Sequence, residues 1–215
     1  MTTLHTYADT AKKILTRSGA SAFSITAGQS RSVETEWRAG TLDRVQDKTH
    51  RSLGVEIYAD GKYAGFSTND LRQTALEAFL IRAVEMTRLL EPDPCRSLPN
   101  CPIGLPSMDL DSFDESIHER RASDRLFEMR RLNDALESVI KNTTYASYST
   151  SLNDGWGHYL RFFSNGFMEE VKTSSFGRSG TLSLRDDDGK LPLGWDGTFA
   201  RHQEDLLSDE SIVAN

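Results

Sequence analysis

The spacing of apolar residues changes several times along the chain, and each change marks a new element. Leu4, Ala8, Ala11, Ile14 and Leu15 recur at helical spacing, which predicts a helix over about His5 to Arg17 with Gly19 as its stop. From Ser21 to Thr68 the period falls to two. Phe23/Ile25, Val33/Trp37, Leu42/Val45 and Leu53/Val55/Ile57 read as a series of short strands. Ala39-Gly40 and Asp60-Gly61 place a glycine where a tight hairpin needs positive φ. After a strand at Tyr63 to Phe66, Ser67-Thr68-Asn69-Asp70 supplies four capping side chains in a row. A second helix is expected from there to about Leu90, with Leu71, Ala75, Phe79, Ala83, Met86 and Leu90 on its apolar face.

Glu91 to Pro106 contains five of the six prolines and both cysteines, so it suits neither a helix nor a central strand and reads as a linker. Ser116 and Glu119 form a capping box for a third helix to about Ile140, with Leu126, Met129, Leu132, Leu136 and Val139 inward. Arg120, Arg121, Arg125, Arg130 and Arg131 are interleaved with Glu119, Asp124, Glu128 and Glu137, which predicts a solvated, salt-bridged surface. Strands return from Tyr145, punctuated by Asp154-Gly155, Asn165-Gly166 and Asp188-Gly189, three hairpin signals in succession. Ser208 caps a closing helix that is expected to continue past Asn215, leaving Leu206, Leu207, Ile212 and Val213 partly exposed. The fold class is therefore α+β: two helix-plus-antiparallel-sheet units joined by a proline-rich linker. The domains read as residues 1–90, a linker over 91–114, a middle domain with an antiparallel meander over 115–207, and the start of a truncated helix at 208–215.

Composition narrows the function classes. Of 215 residues, 37% are hydrophobic, including ten Phe, six Tyr and three Trp, which is enough for a packed core and too rich for a disordered chain. No apolar run approaches the ~20 residues of a spanning helix, and Met1 to Ala8 has no secretory pattern, so a cytoplasmic location is expected. Twenty-five basic against 32 acidic residues leave a net charge of -7, which lacks the basic array that phosphate backbones require. Direct nucleic-acid and membrane partners are not expected. Cys95 and Cys101 match no zinc or redox spacing and are expected as free thiols.

Candidate chemistry is sparse. His118-Glu119 begins a zinc-peptidase-like pair, but Ala122 and Ser123 occupy the positions where the second histidine would fall; an exposed histidine near a helix start is the expected state. Ser138-x-x-Lys141, Ser151-Leu152-Asn153 and Lys172-Thr173-Ser174 echo an active-serine set. However, Ser138 falls at the end of its helix rather than opening one. Asp186-Asp187-Asp188-Gly189 lacks the alternate spacing of a calcium loop and reads as a turn. His5, His50, His158 and His202 are scattered. No catalytic or metal residue is assigned, and the sequence assigns no residue to peptide or partner contact.

One resemblance adds to this reading. Arg31-Ser32-Val33-Glu34, the turn Arg38-Ala39-Gly40-Thr41-Leu42, Leu53-Gly54-Val55-Glu56-Ile57-Tyr58-Ala59-Asp60-Gly61 and Gly65-Phe66-Ser67-Thr68-Asn69-Asp70-Leu71 precede an alanine-rich helix. This arrangement resembles the N-terminal domain of the TldD/PmbA family of metallopeptidases, once described as modulators of DNA gyrase. Pro92-Asp93-Pro94-Cys95, Asp109-Leu110-Asp111-Ser112-Phe113, Ser164-Asn165-Gly166-Phe167 and Glu204-Asp205-Leu206-Leu207-Ser208 look like the linker and middle domain of the PmbA, or TldE, branch.

The resemblance implies a non-catalytic region of a TldE-like subunit. Its partner would be a TldD-like subunit or a second copy, and the assembly would degrade small or unfolded peptides. The zinc would be held by an H-E-x-x-x-H helix in the C-terminal domain of the TldD subunit, so no cofactor is expected in this chain. Two alternatives stay open: the N-terminal part of a TldD-like catalytic subunit, or a free-standing gyrase-linked interaction protein.

Overall fold

The structure, a computed structural model, describes residues 3–100 and 109–214. Its elements are α1 (Leu4–Arg17), β1 (Ala22–Arg38), β2 (Thr41–Ala59), β3 (Lys62–Thr68), α2 (Gln73–Thr87), α3 (Ala122–Ile140), β4 (Tyr145–Phe163), β5 (Met168–Leu184), β6 (Leu193–Ala200) and α4 (Asp209–Val213). Short 3-10 turns lie at Glu115–His118 and Gln203–Asp205. The strands form a six-stranded antiparallel sheet in the order β3-β2-β1-β4-β5-β6, so the expected α+β class is borne out.

Two compact units are each assembled from separated stretches of chain. The first takes Met1–Ser30, Thr49–Met108 and Gly157–Lys172; the second takes Arg31–Lys48, Asp109–Trp156 and Thr173–Asn215. In the first unit, α1 begins at Thr3, whose hydroxyl accepts the Thr6 N–H, and it buries the five residues its periodicity named. They pack with Phe23, Ile25 and Ala27 of β1, Leu53, Val55 and Ile57 of β2, and Leu160 of β4. α2 completes this core through Leu76, Leu80, Ala83 and Val84. The sequence expectation for α2 was rotated: of the named face only Ala83 is buried, and Met86 and Leu90 are exposed. The capping run also acts differently: the Asp70 carboxylate accepts the N–H and guanidinium of Arg72, which closes a turn, and the helix starts at Gln73.

In the second unit, Leu136 and Ile140 of α3 meet Tyr148 of β4, with Leu182 and Val213 packed against them. The expected box at Ser116 and Glu119 does not open α3. Asp114 instead caps a single 3-10 turn, and α3 starts at Ala122 behind a box in which the Asp124 carboxylate accepts the Arg121 N–H at 2.9 Å. Its buried face is Arg125, Met129, Leu132, Asn133, Leu136 and Ile140, whereas Leu126 and Val139 are exposed. In α4 the Ser208 hydroxyl accepts the Ser211 N–H; Ile212 is buried rather than exposed, while Leu207 is open to solvent.

Strand lengths differ most from expectation. The four short strands expected between Ser21 and Ile57 are two long ones, joined at Ala39-Gly40 with φ of 48° and 75°. Their polar middle carries the cross-pairs Arg31–Asp47 and Arg44–Glu34 rather than a break. The turns at Asp60-Gly61, Asn165-Gly166 and Asp188-Gly189 form as expected, with positive φ at each glycine. Asn153-Asp154-Gly155 is not a turn; it lies inside β4. A Cβ on Gly155 would stand 2.6 Å from the Arg31 carbonyl oxygen, so glycine is required there by close approach rather than by φ.

Cys95 is an exposed free thiol, and Cys101 lies outside the described residues, as does the linker from residue 101 to 106. The linker from 91 to 100 contains no helix or strand and is tied down by Tyr58 Oη donating to the Ser97 carbonyl and Asn165 Nδ2 to that of Pro99.

Gly155→Ala is expected to cost about 1–3 kcal/mol through overpacking against backbone. Gly65→Ala, whose Cβ would meet nothing within 4 Å, is expected to stay near neutral. Urea melts of the two variants check the pair, and equal midpoints would refute the close-approach argument.

Candidate functional site

The second unit holds a buried polar network built from both ends of the sequence-predicted arginine cluster. One turn into α3, Arg125 clasps Asp154 with two bonds of 2.8 Å, from Nε to Oδ2 and from Nη2 to Oδ1, while its Nη1 donates to the Arg120 carbonyl. Arg120 Nε adds a third bond to Asp154 at 2.9 Å, and its two terminal nitrogens hold Glu128 at 3.0 and 3.1 Å. Its guanidinium lies 5.5 Å from the Phe176 ring. The Arg120, Arg125 and Asp154 side chains are 6%, 7% and 2% exposed. The expectation of a solvated arginine face is thus corrected at these two positions: the helix turns Arg125 inward and Asp154 gives it a charge partner. A second pairing joins Asp209, the first residue of α4, to Arg178 at 2.9 Å and to Arg131. Arg178 also donates to the Leu207 carbonyl at 2.5 Å. Arg131 and Arg178 border a pocket of about 340 Å³ that includes Phe127, Gln203 and Leu206.

A further network fixes the β1–β2 turn within this unit. Glu137 accepts from Tyr148 Oη at 2.6 Å and from Asn133 Nδ2 at 2.9 Å, and Gly40 leaves room for its carboxylate. The Tyr148 and Asn133 donors hold the Glu137 carboxyl below its ordinary value, while burial and the same carboxylate push the Tyr148 phenol up. α3 lies on the β5 face that carries Gly180 and Leu182. On the opposite face, small side chains such as Ser151 and Ser179, 2.9 Å apart, sit beside the exposed Leu193, Trp195 and Phe199 of β6.

The remaining candidates from the sequence do not assemble into a reacting centre. His118 is exposed, with its ring centroid 5.6 Å from that of Phe113 and 5.4 Å from that of Trp156. The Ser138, Ser151 and Ser174 hydroxyls are engaged separately with the Ala135 carbonyl, Ser179 and the Arg201 carbonyl. Asp186 accepts the Lys190 N–H in its hairpin, and His202 bonds to the Asp111 carbonyl at 2.8 Å. In the first unit the structure brings His5 and His158 together on Glu170, at 3.1 and 2.5 Å. Their separation along the chain left no local signal for that grouping. Among the described residues, no cluster of three His, Cys, Asp or Glu side chains has the geometry to hold a metal ion.

Comparison with known proteins places this architecture in a class. Residues 25–87, from within β1 to the last residue of α2, match the family described as PmbA/TldA metallopeptidase domain 1. That match falls on the segment from which the resemblance to the TldD/PmbA family was read. A candidate modulator of DNA gyrase from Bacteroides thetaiotaomicron shares the fold at a TM-score of 0.90 and 24% identity, over 100% of this chain and 50% of its own. A protein of the same description from Thermotoga maritima matches at 0.74 and 15% identity, covering 98% of this chain and 46% of that one. TldE from Thermococcus kodakarensis matches at 0.77 and 14% identity, over 97% and 46%. The chain thus spans about half the length of the structures it matches. No curated protein matches its sequence. No helix among the described residues is long and apolar enough to cross a membrane.

Asp154→Ala would leave two buried guanidiniums without their shared partner, and a loss of about 3–5 kcal/mol is expected in denaturant melts. Lys substitution at the exposed Val139 is expected to change little. For Glu170, the His158 and then the His5 bonds lower the carboxyl from 4.5. A lowered folded-state value contributes stability above the unfolded value, and that contribution is lost as pH falls through the folded one. Glu170→Gln should therefore flatten the stability profile below pH 4.5 and leave its slope above neutrality unchanged, as read by thermal melts across pH.

Proposed function

We propose that this chain is the first and middle region of a TldE-like subunit, acting in assembly and in enclosing peptide. The subunit would belong to a cytoplasmic TldD/TldE zinc metallopeptidase that degrades small or unfolded peptides. The observation that carries this reading is the match of residues 25–87 to the first domain of that family. Those residues form the hairpins and helix that make most of the first unit's core, so the likeness covers a packed substructure rather than scattered positions. The TldE fold match over 97% of the chain supports the branch. In this reading the zinc and its general base belong to the TldD-like partner, and this chain supplies sheet surface.

Co-expression with a TldD-like subunit from the same genome tests it. A stable complex is expected, with peptide hydrolysis that is chelator-sensitive and requires the partner. Hydrolysis of an unfolded peptide by this chain alone, or failure to form a complex with the partner, would overturn the proposal.

A further inference from the structure

Trp37 Nε1, Thr150 Oγ1 and Asn133 Oδ1 are buried in the second unit and have no hydrogen-bond partner among the described residues. Strand register brings the first two together. The Ala39 N–H donates to the Tyr148 carbonyl, and Gly155 stands against Ser32. Both contacts fix the same β1–β4 register, in which Trp37 lies directly opposite Thr150 on the face that carries Asp154. On the other side of β4, the Ser151–Ser179 contact and the bond from Ser175 Oγ to the Gly155 carbonyl set Gly180 of β5 opposite Thr150. α3 runs antiparallel to β4 above this row, with Arg125 on Asp154 near its start and Glu137 on Tyr148 near its end. Asn133 stands about 12 Å along the helix from Arg125, and Thr150 about 13 Å along the strand from Asp154, so the two meet. The Glu137 carboxylate can only accept, so the Asn133 amide turns its nitrogen there and its oxygen away.

We propose that this interior is a binding site for one ordered water molecule, held between α3 and the sheet by Trp37, Thr150 and Asn133. The water accepts the indole N–H and donates to the Asn133 oxygen, and the Thr150 hydroxyl is its third partner. Three bonds are the usual complement of a buried water. Donor and acceptor types require such a mediator, because an indole N–H only donates and an amide oxygen only accepts. An apolar filling would leave all three groups unpaired in a low-dielectric interior, which is the costly outcome. Gly180 supplies the room. A Cβ there would meet only Leu136 Cδ2, at 3.8 Å, so the space beside Thr150 accepts a group the size of a methyl or a water. The bound water completes a row of polar ties along α3, with the Arg125–Asp154 pair at one end and the Glu137–Tyr148 bond at the other. This inference rests on the interior of the second unit and is independent of the metallopeptidase reading.

Water-selective NOE spectroscopy of the nitrogen-labelled 215-residue chain reads the site directly. The Trp37 indole N–H, assigned by its loss in Trp37→Phe, should show a cross-peak to a long-lived water, with the exposed Trp195 as the bulk-water reference. Thr150→Val keeps the shape of the side chain but removes the hydroxyl, and it should weaken that cross-peak. Gly180→Ala should abolish it, because the methyl takes the place of the water. The stability of Gly180→Ala adds a test of sign. Alanine is the better strand residue and would make only an ordinary contact with Leu136, so a dry site predicts a gain in stability. Displacement of a bound water that leaves three groups unpaired predicts instead a melting temperature lower by about 2–4 °C. Absence of the Trp37 cross-peak in the unsubstituted chain, a cross-peak indifferent to both substitutions, or a Gly180→Ala melt at or above that of the unsubstituted chain would overturn the proposal. If Gly180→Ala fails to fold, the Trp37 cross-peak and its response to Thr150→Val decide alone.

Discussion

Asp154 stands in the interior of β4 with its carboxylate shut away from water, where it accepts three bonds from two arginines. Much of the second unit depends on that contact. A lone buried carboxylate would be expelled or protonated; with Arg125 bidentate and Arg120 alongside, the charge is matched and its acceptor sites are filled. Because Arg125 belongs to the first turns of α3, the bond sets how that helix is rotated on the sheet. Arg120 carries the constraint on to Glu128, further along the helix, and Glu128 accepts Gln203 from the segment before α4. Strand, helix and C-terminal segment are thereby tied through a few polar side chains, beside buried apolar residues that include Met129, Leu132, Leu152 and Phe176.

The first unit is held differently. Sixteen buried apolar residues from two helices and three strands make up its core, and its polar contacts are peripheral. Arg17 pairs with Glu77 between the helices, and Arg88 donates to the carbonyls of Ser18 and Gly19. This is also the unit that contains most of the residues matching the family's first domain. A core of that kind is recognisable from sequence because its pattern is dense and local. The second unit adds pairings between charges distant in the chain, and such pairings leave little pattern to match.

The open face of the second unit is lined by small side chains. Serines and glycines on β4 and β5 keep that face shallow, and the aromatic residues of β6 raise one margin of it. Small side chains permit close approach of another backbone, and exposed aromatic residues supply contact area at low entropic cost. Both features suit the surface role proposed above. They also account for the position of Gly197, where a Cβ would come within 2.7 Å of Ser179.

What the sequence determined by itself were the features governed by neighbours in the chain. α1 was legible because five apolar residues keep one helical stripe. The hairpins at Ala39-Gly40, Asp60-Gly61, Asn165-Gly166 and Asp188-Gly189 were legible because positive φ is a local demand that glycine meets. Local reasoning failed where another part of the molecule competed for the same residues. Asp154-Gly155 has the residues of a turn, yet Arg120 and Arg125 take the carboxylate, and the Arg31 backbone occupies the space a Cβ would need, so the chain stays extended. Asp70 and Asp124 redirect the starts of α2 and α3, and the buried face of α2 runs through Leu76, Leu80, Ala83, Val84 and Thr87, while α3 keeps Met129, Leu132 and Leu136 inward. The Glu170 grouping and the alignment of Trp37, Thr150 and Gly180 follow from strand register alone, and register is set only when distant strands meet.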